Sequence, residues 1–132
     1  MVGVLIVTHN GIGDEMLKTA ETFVGKHLPD ARSIAIPGDL TADQLGGYAD
    51  RIQQAIVALD HGEGVLILTD LMGATPSNLA HYFANDHAVK ILSGLNLPML
   101  IRVINYADSD LDALARAGIQ GANRGITPES EL

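Results

Sequence analysis

The chain alternates between short, continuously apolar runs and longer amphipathic segments. Two of the apolar runs, 3–8 (GVLIVT) and 64–69 (GVLILT), are rich in leucine and β-branched residues, which is typical of strands buried on both faces of a parallel sheet. Two weaker runs of the same kind span 33–36 and 89–92. The pattern therefore predicts four parallel strands.

Segments with helical periodicity lie between and after these runs, and we place them at 14–24, 41–59, 76–84, 98–104 and 111–119. The second opens with a capping-box pattern, Thr41-x-x-Gln44, and the third begins with Pro76 behind Thr75 as the expected N-cap. This alternation predicts a single α/β domain. It should contain a twisted, mainly parallel sheet of about four strands, with right-handed crossovers and helices on both faces.

Composition removes several classes of function. The 132 residues are 47% hydrophobic, which is enough for a core, and carry a formal charge of −8 that disfavours binding to nucleic acid. The chain has no cysteine, so disulfides and thiolate chemistry are excluded, and a reducing cytoplasm is the expected location. Neither a signal peptide nor an apolar run long enough to span a bilayer is recognisable.

Candidate chemistry is concentrated where the two strongest strands end. In open α/β sheets the working site lies at the carboxyl ends of the strands, and here those ends carry His9 and Asp70. The first and third strands of such sheets are commonly neighbours, so we expect the two side chains to meet. A carboxylate that accepts from Nδ1–H fixes the imidazole tautomer and leaves Nε2 as a free lone pair.

Such a nitrogen can act as a nucleophile, a general base or a metal ligand. A metal needs further ligands that these loops lack, and a general base needs a substrate pocket that short loops hardly provide. Attack on a phosphoryl group needs mainly positioning and anion stabilisation, which helix N-termini after Gly13 and after Thr75 would supply. The residues alone leave equally open a partly buried His9 that makes only a structural hydrogen bond.

Two other patterns carry little weight. The sequence Gly11-Ile12-Gly13 begins like a dinucleotide-binding fingerprint, but Met16 stands where that fingerprint needs glycine or alanine. The remaining histidines show no metal-binding spacing and are expected to be solvent-exposed or at helix ends: His27, His61, His81 and His87. No metal and no cofactor is expected.

Three blocks together carry a family resemblance: 3–9 (GVLIVTH), 64–78 (GVLILTDLMGATPSN) and 94–100 (GLNLPML). In order and spacing they resemble the mannose-family enzyme IIA domain of the bacterial phosphotransferase system. The resemblance implies that His9 accepts phosphate at Nε2 from the phosphocarrier HPr, with Asp70 as its Nδ1 partner. It also implies that Thr75 holds phosphate oxygens and that Gly73 and Ala74 line the site.

The resemblance covers about residues 1–125, which we take as the phosphoryl-carrier domain, with 126–132 as a C-terminal tail. It further implies a homodimer, a separate IIB histidine as acceptor and only an indirect link to the membrane. Many members have glycine where this chain has Asn10, and Pro128 allows at most a short antiparallel edge strand in the tail. The alternatives are a regulatory module that signals the phosphorylation state of His9 and, less favoured, a flavodoxin-like domain that binds a small molecule.

Overall fold

The predicted four-stranded parallel sheet is present in the computed structural model, which describes residues 1–25 and 28–132. The strands are β1 (Gly3–His9), β2 (Ala31–Ile36), β3 (Val65–Thr69) and β4 (Val89–Ser93), in the order β2-β1-β3-β4. All three pairings are parallel. The two strongly apolar runs are thus the central strands. His27 lies outside the described residues.

In the described part of the chain, five α-helices connect and flank the strands: α1 (Ile12–Ala20), α2 (Leu45–Leu59), α3 (Thr75–His81), α4 (Leu97–Asn105) and α5 (Leu111–Arg124). Each predicted helix is found, with shifted ends. The end of the first is a short 3₁₀ turn, as is the segment before α2. In that second turn the Thr41 N–H donates to Gln44 Oε1 at 3.0 Å, as the capping-box pattern predicts.

The core has two layers, one on each face of the sheet. Alternate residues of β1 and β3, such as Leu5 and Ile67, face α2 and α3, whereas Ile6 and Leu68 face α1, α4 and α5. All four side chains are fully buried, and burial of such a side chain contributes about 1.5–3 kcal/mol. The central strands are therefore a rigid base for the residues that follow them.

Beyond α5 the chain adds nothing to the sheet. In the described part of the protein, residues 126–132 form no strand. This agrees with the presence of Pro128, which has no N–H to donate to a neighbouring strand. Among residues 1–25 and 28–132, no helix combines the length and apolar character needed to cross a bilayer.

Gly13, the second residue of α1, lets this helix begin directly against the sheet. A Cβ at this position would lie 2.7 Å from Ile6 Cγ2, 2.8 Å from Ser33 Oγ and 3.0 Å from Thr8 Oγ1. Distances this short force α1 or the strands to move. Glycine is therefore required here by close packing of the helix on β1 and β2.

Gly13→Ala is expected to lower the free energy of unfolding by about 1–3 kcal/mol, because the added methyl group overpacks this contact. Gly46→Ala is the matched control: it also lies within a helix, but nothing approaches its Cβ position within 4 Å. That control should gain about 0.5–1 kcal/mol from helix propensity. Urea unfolding measures both, and equal changes in the two variants would contradict this account of α1.

Candidate functional site

The structure brings His9 and Asp70 together at the carboxyl edge of the sheet. Since β1 and β3 pair with Val7 opposite Thr69, the two polar residues follow neighbouring strand ends. His9 Nδ1 lies 2.8 Å from Asp70 Oδ2, and the His9 backbone N–H donates to the same oxygen at 3.0 Å. The expected meeting of these side chains is therefore found, and a backbone hydrogen bond reinforces it.

This contact determines the chemistry available to the imidazole. An ionised carboxylate only accepts hydrogen bonds, so the ring places its hydrogen on Nδ1, and the neutral tautomer leaves a lone pair on Nε2. The His9 side chain is 33% exposed, which allows a partner to reach the ring, whereas Asp70 is 16% exposed. Asp70 thus fixes the orientation of the ring, and the exposed part of the ring remains accessible to a partner.

Asp70 remains ionised although it is mostly buried. Burial alone would raise the pKa of this carboxyl group, but hydrogen bonds from the His9 ring and backbone outweigh it and hold the pKa below its ordinary value. The corresponding stabilisation is present above the unfolded-state pKa and is lost as the pH falls through the folded-state pKa. Both donors reach Oδ2, while no described residue donates to the buried Oδ1.

Asn10 and Thr8 shape the turn from β1 into α1. Asn10 has φ of +50°, a left-handed conformation that asparagine tolerates better than most residues, and its N–H donates to Ile36 O at 2.9 Å. Asparagine can therefore occupy a position whose left-handed backbone would otherwise favour glycine. The buried Thr8 Oγ1 accepts from the Gly13 N–H at 2.9 Å and so satisfies one free amide at the start of α1.

The segment after β3, residues 70–76, is called the site loop below. It turns at Gly73, whose φ is +83°, and leads into α3. Thr75 was expected to be the N-cap of this helix, and that expectation is wrong: Ala74 is the N-cap, because its extended backbone places its carbonyl oxygen 2.9 Å from the Asn78 N–H. Thr75 is the first helical residue and is exposed, so its hydroxyl is not occupied by capping.

A cluster of three hydroxyl groups lies beneath the site loop and was not anticipated from the sequence. Thr69 Oγ1 lies 2.6 Å from Ser93 Oγ, and Ser77 Oγ lies 3.4 Å from the same atom. The only sequence signal is that β3 and β4 each end in a hydroxyl residue. Their contact depends on the register that sets Thr69 opposite Ser93.

The surface around His9 is partly apolar. Ile12 on α1 is 49% exposed, and Leu71 and Met72 on the site loop are 61% and 83% exposed. Of the other histidines, His61 forms an exposed pair with Asp30 at 3.1 Å, and His81 is exposed on α3. Within residues 1–25 and 28–132, no three acidic or histidine side chains are grouped to hold a metal ion.

Comparisons with known proteins identify the family and the fold of this chain. The profile of a family described as "EIIA-man: PTS system fructose IIA component" matches residues 3–117. The "PTS system mannose-specific EIIAB component" of Escherichia coli (strain K12) is 27% identical over 128 residues, which are 95% of this chain and 38% of that protein. The chain thus spans less than half the length of that relative.

Solved structures give the same fold. The phosphotransferase system component EIIA from Streptococcus agalactiae superposes with a TM-score of 0.81 at 26% identity, covering 97% of both chains. The mannose/sorbose specific IIA subunit from Enterococcus faecalis has a TM-score of 0.83 at 23% identity, covering 99% of this chain and 96% of that one. At that lower identity the second likeness supports the fold alone.

Proposed function

This chain belongs to the mannose-type enzyme IIA family of the phosphotransferase system, and from that membership we propose that His9 is its phosphoryl-accepting residue. The observation that carries the proposal is the contact of His9 Nδ1 with Asp70 Oδ2 at 2.8 Å. It orients a partly exposed imidazole ring and leaves Nε2 free of any hydrogen bond to the described residues. The donor is phosphorylated HPr, and the acceptor is a histidine of a IIB component.

The transfer balances without any cofactor. The Nε2 lone pair of His9 attacks the phosphorus atom of the donor phosphohistidine, and the P–N bond to the donor breaks as the new P–N bond forms. The donor ring, protonated on its other nitrogen, leaves as a neutral imidazole that keeps the electron pair of the broken bond. The phosphorylated His9 ring retains its hydrogen on Nδ1, and the Asp70 carboxylate stabilises the positive charge that develops there. Transfer to the IIB histidine is a second step of the same kind, in which phosphorylated His9 is the donor and the IIB histidine is the nucleophile.

The site loop supplies the contacts to the phosphoryl oxygens. We assign these to the Thr75 hydroxyl, which is exposed and not used as a cap, and to the backbone around Gly73 and Ala74. The exposed apolar residues Ile12 and Met72 form the rim on which HPr packs. The chain charge of −8 favours a basic partner.

Thr75→Ala is expected to slow phosphoryl transfer about tenfold, the lower end of the effect of losing one hydrogen bond to a charged group, because the backbone around Gly73 and Ala74 still contacts the phosphoryl oxygens. Stability should change by less than about 0.5 kcal/mol, because Ala74 is the N-cap. Thr75→Ser keeps the hydroxyl and is the control. Single-turnover phosphorylation by phospho-HPr measures the rate, while HPr binding should be nearly unchanged. Wild-type rates in Thr75→Ala would remove Thr75 from the site.

We also propose that the protein is a homodimer. Strand β4 is an edge of the sheet, and a groove of about 560 Å³ runs beside it, lined by Val89, Ile91 and Ser93 of β4 and by His81 of α3. An unpaired edge strand beside a groove is suited to association with a second chain. Sedimentation equilibrium should give twice the monomer mass of 13.9 kDa at micromolar concentration. The monomer mass alone would contradict the dimer.

The function is tested with enzyme I, HPr and phosphoenolpyruvate. After incubation with these components, the protein should carry one phosphate per chain, hydrolysed in acid and retained in base as a phosphoramidate is. Omitting HPr should prevent labelling. A protein that acquires no phosphate from fully phosphorylated HPr would not have the proposed function.

A further inference from the structure

The hydroxyl cluster of Thr69, Ser93 and Ser77 joins three separate elements at one point. Thr69 is the last residue of β3, Ser93 is the last residue of β4, and Ser77 lies in the first turn of α3. Ser93 is the bridging member, because each of the others contacts its Oγ and no direct contact joins Thr69 to Ser77. Removing one hydroxyl group therefore breaks both links.

Burial determines which group donates in the shorter contact. Thr69 is fully buried, and its Oγ1 has no other acceptor among the described residues, so a hydrogen pointing away from Ser93 would be left unpaired. An unpaired buried donor is costly, and Thr69 therefore donates to Ser93. Ser77, 7% exposed, and the partly buried Ser93 both line the groove beside β4, so a remaining hydrogen can bond to whatever occupies this groove, either solvent or the second chain of the proposed dimer.

Two members of the cluster flank the site loop in the sequence, one at each end. Thr69 immediately precedes residue 70, and Ser77 immediately follows residue 76. Within the loop, the Ala74 N–H donates to Leu71 O at 3.3 Å, and beyond its end Asn78 Nδ2 donates to Gly73 O at 3.2 Å. Apart from the two His9 hydrogen bonds to Asp70 and that of the Asn78 N–H to Ala74 O, few hydrogen bonds within the described residues hold the loop, although the assigned phosphate contacts all lie on it.

We propose that Ser93 is a positioning residue for phosphoryl transfer, which acts by holding the two ends of the site loop together through its contacts with Thr69 and Ser77. Ser93 does not itself touch the phosphoryl group. Its contacts fix where β3 ends and where α3 begins, and so fix the spacing between Asp70 and Thr75. This role rests on the proposed function, whereas its effect on the loop can be measured in the unphosphorylated protein.

The test compares Ser93→Val with Ser93→Thr. The two replacement side chains have nearly the same shape and both suit a strand, but only threonine retains the bridging hydroxyl. In the unphosphorylated protein, ¹⁵N relaxation should give lower order parameters for the amides of residues 71–75 in Ser93→Val than in Ser93→Thr. Amides of β1 and β2 should be unchanged in both variants.

The same pair is then assayed with phospho-HPr. Ser93→Val should lower the maximal transfer rate about three- to tenfold relative to Ser93→Thr, the range expected when one ordinary hydrogen bond is lost, because the 3.4 Å contact with Ser77 is much weaker than the 2.6 Å contact with Thr69. Ser93→Thr should restore at least half of the wild-type rate. Equal loop order in the two variants, or equal loss of order throughout the protein, would overturn the positioning role. Failure of the wild-type protein to accept phosphate would instead refute the proposed function and leave the loop comparison standing.

Discussion

His9→Ala is expected to abolish phosphorylation by phospho-HPr, reducing phosphate incorporation to the background of the assay. The alanine side chain carries no nucleophile, and no other described histidine has a buried carboxylate aligned with its ring at a strand end. The fold should persist, because His9 is partly exposed and lies at the end of β1. Incorporation of labelled phosphate, together with thermal unfolding, measures both effects.

His61→Ala is the matched control for this experiment. His61 also pairs with an aspartate, Asp30, at 3.1 Å, but it is 57% exposed and lies before β3 rather than beyond the carboxyl end of a strand. This variant should accept phosphate at the wild-type rate and stoichiometry. Acid-labile phosphate on His9→Ala, or its loss from His61→Ala, would show that the phosphoryl group resides elsewhere.

Asp70→Asn is expected to slow phosphorylation of His9 about ten- to a hundredfold. The variant removes the negative charge that supports the ring as positive charge develops, and a hydrogen bond to a charged group is worth about 1.5–3 kcal/mol. If the asparagine oxygen takes the position of Oδ2, it can still accept from the His9 backbone N–H. Its NH₂ group then occupies the buried position of Oδ1, where no described residue contacts it through a hydrogen bond.

The stability of Asp70→Asn separates orientation of the ring from maintenance of the fold. We expect the free energy of unfolding at pH 7 to fall by about 1–2 kcal/mol or less, far too little to unfold the protein. Asp39→Asn, an exposed residue that follows β2 at the same edge of the sheet, should change neither rate nor stability. Simultaneous collapse of folding and phosphorylation in Asp70→Asn would mean that the pair serves the structure rather than the reaction.

The fold could be predicted from the sequence because its strongest signals are local. Each central strand is a continuous apolar run, and neighbouring residues such as Leu66 and Ile67, which face opposite sides of the sheet, are both fully buried. Helix ends were less accurate, since they depend on backbone geometry that a pattern does not determine. At α3 the pattern favoured Thr75 as the cap, but the extended conformation of Ala74 makes it the residue that caps the helix.

The site could be predicted only in part, for a related reason. The positions of His9 and Asp70 follow from strand ends, which the sequence marks clearly. The Thr69–Ser93 contact depends on the pairing register of β3 and β4, and the left-handed conformation of Asn10 depends on its bond to Ile36. Neither relation involves residues close together in the chain, so neither leaves a local pattern.

The arrangement of the sheet also governs when the site can come into existence. His9 and Asp70 are separated by 61 positions in the sequence. The chain between them contains α1, β2 and α2, which are synthesised before β3 can pair with β1. Such long-range parallel pairing is slow compared with helix formation, because the entropy of closing a large loop is lost before the stabilising contacts between the strands form. With His9 as the proposed acceptor, a newly synthesised chain is therefore unable to receive phosphate until β3 has joined β1. Phosphorylation at the proposed site would thus report that β3 has paired with β1, and not merely that β1 has formed.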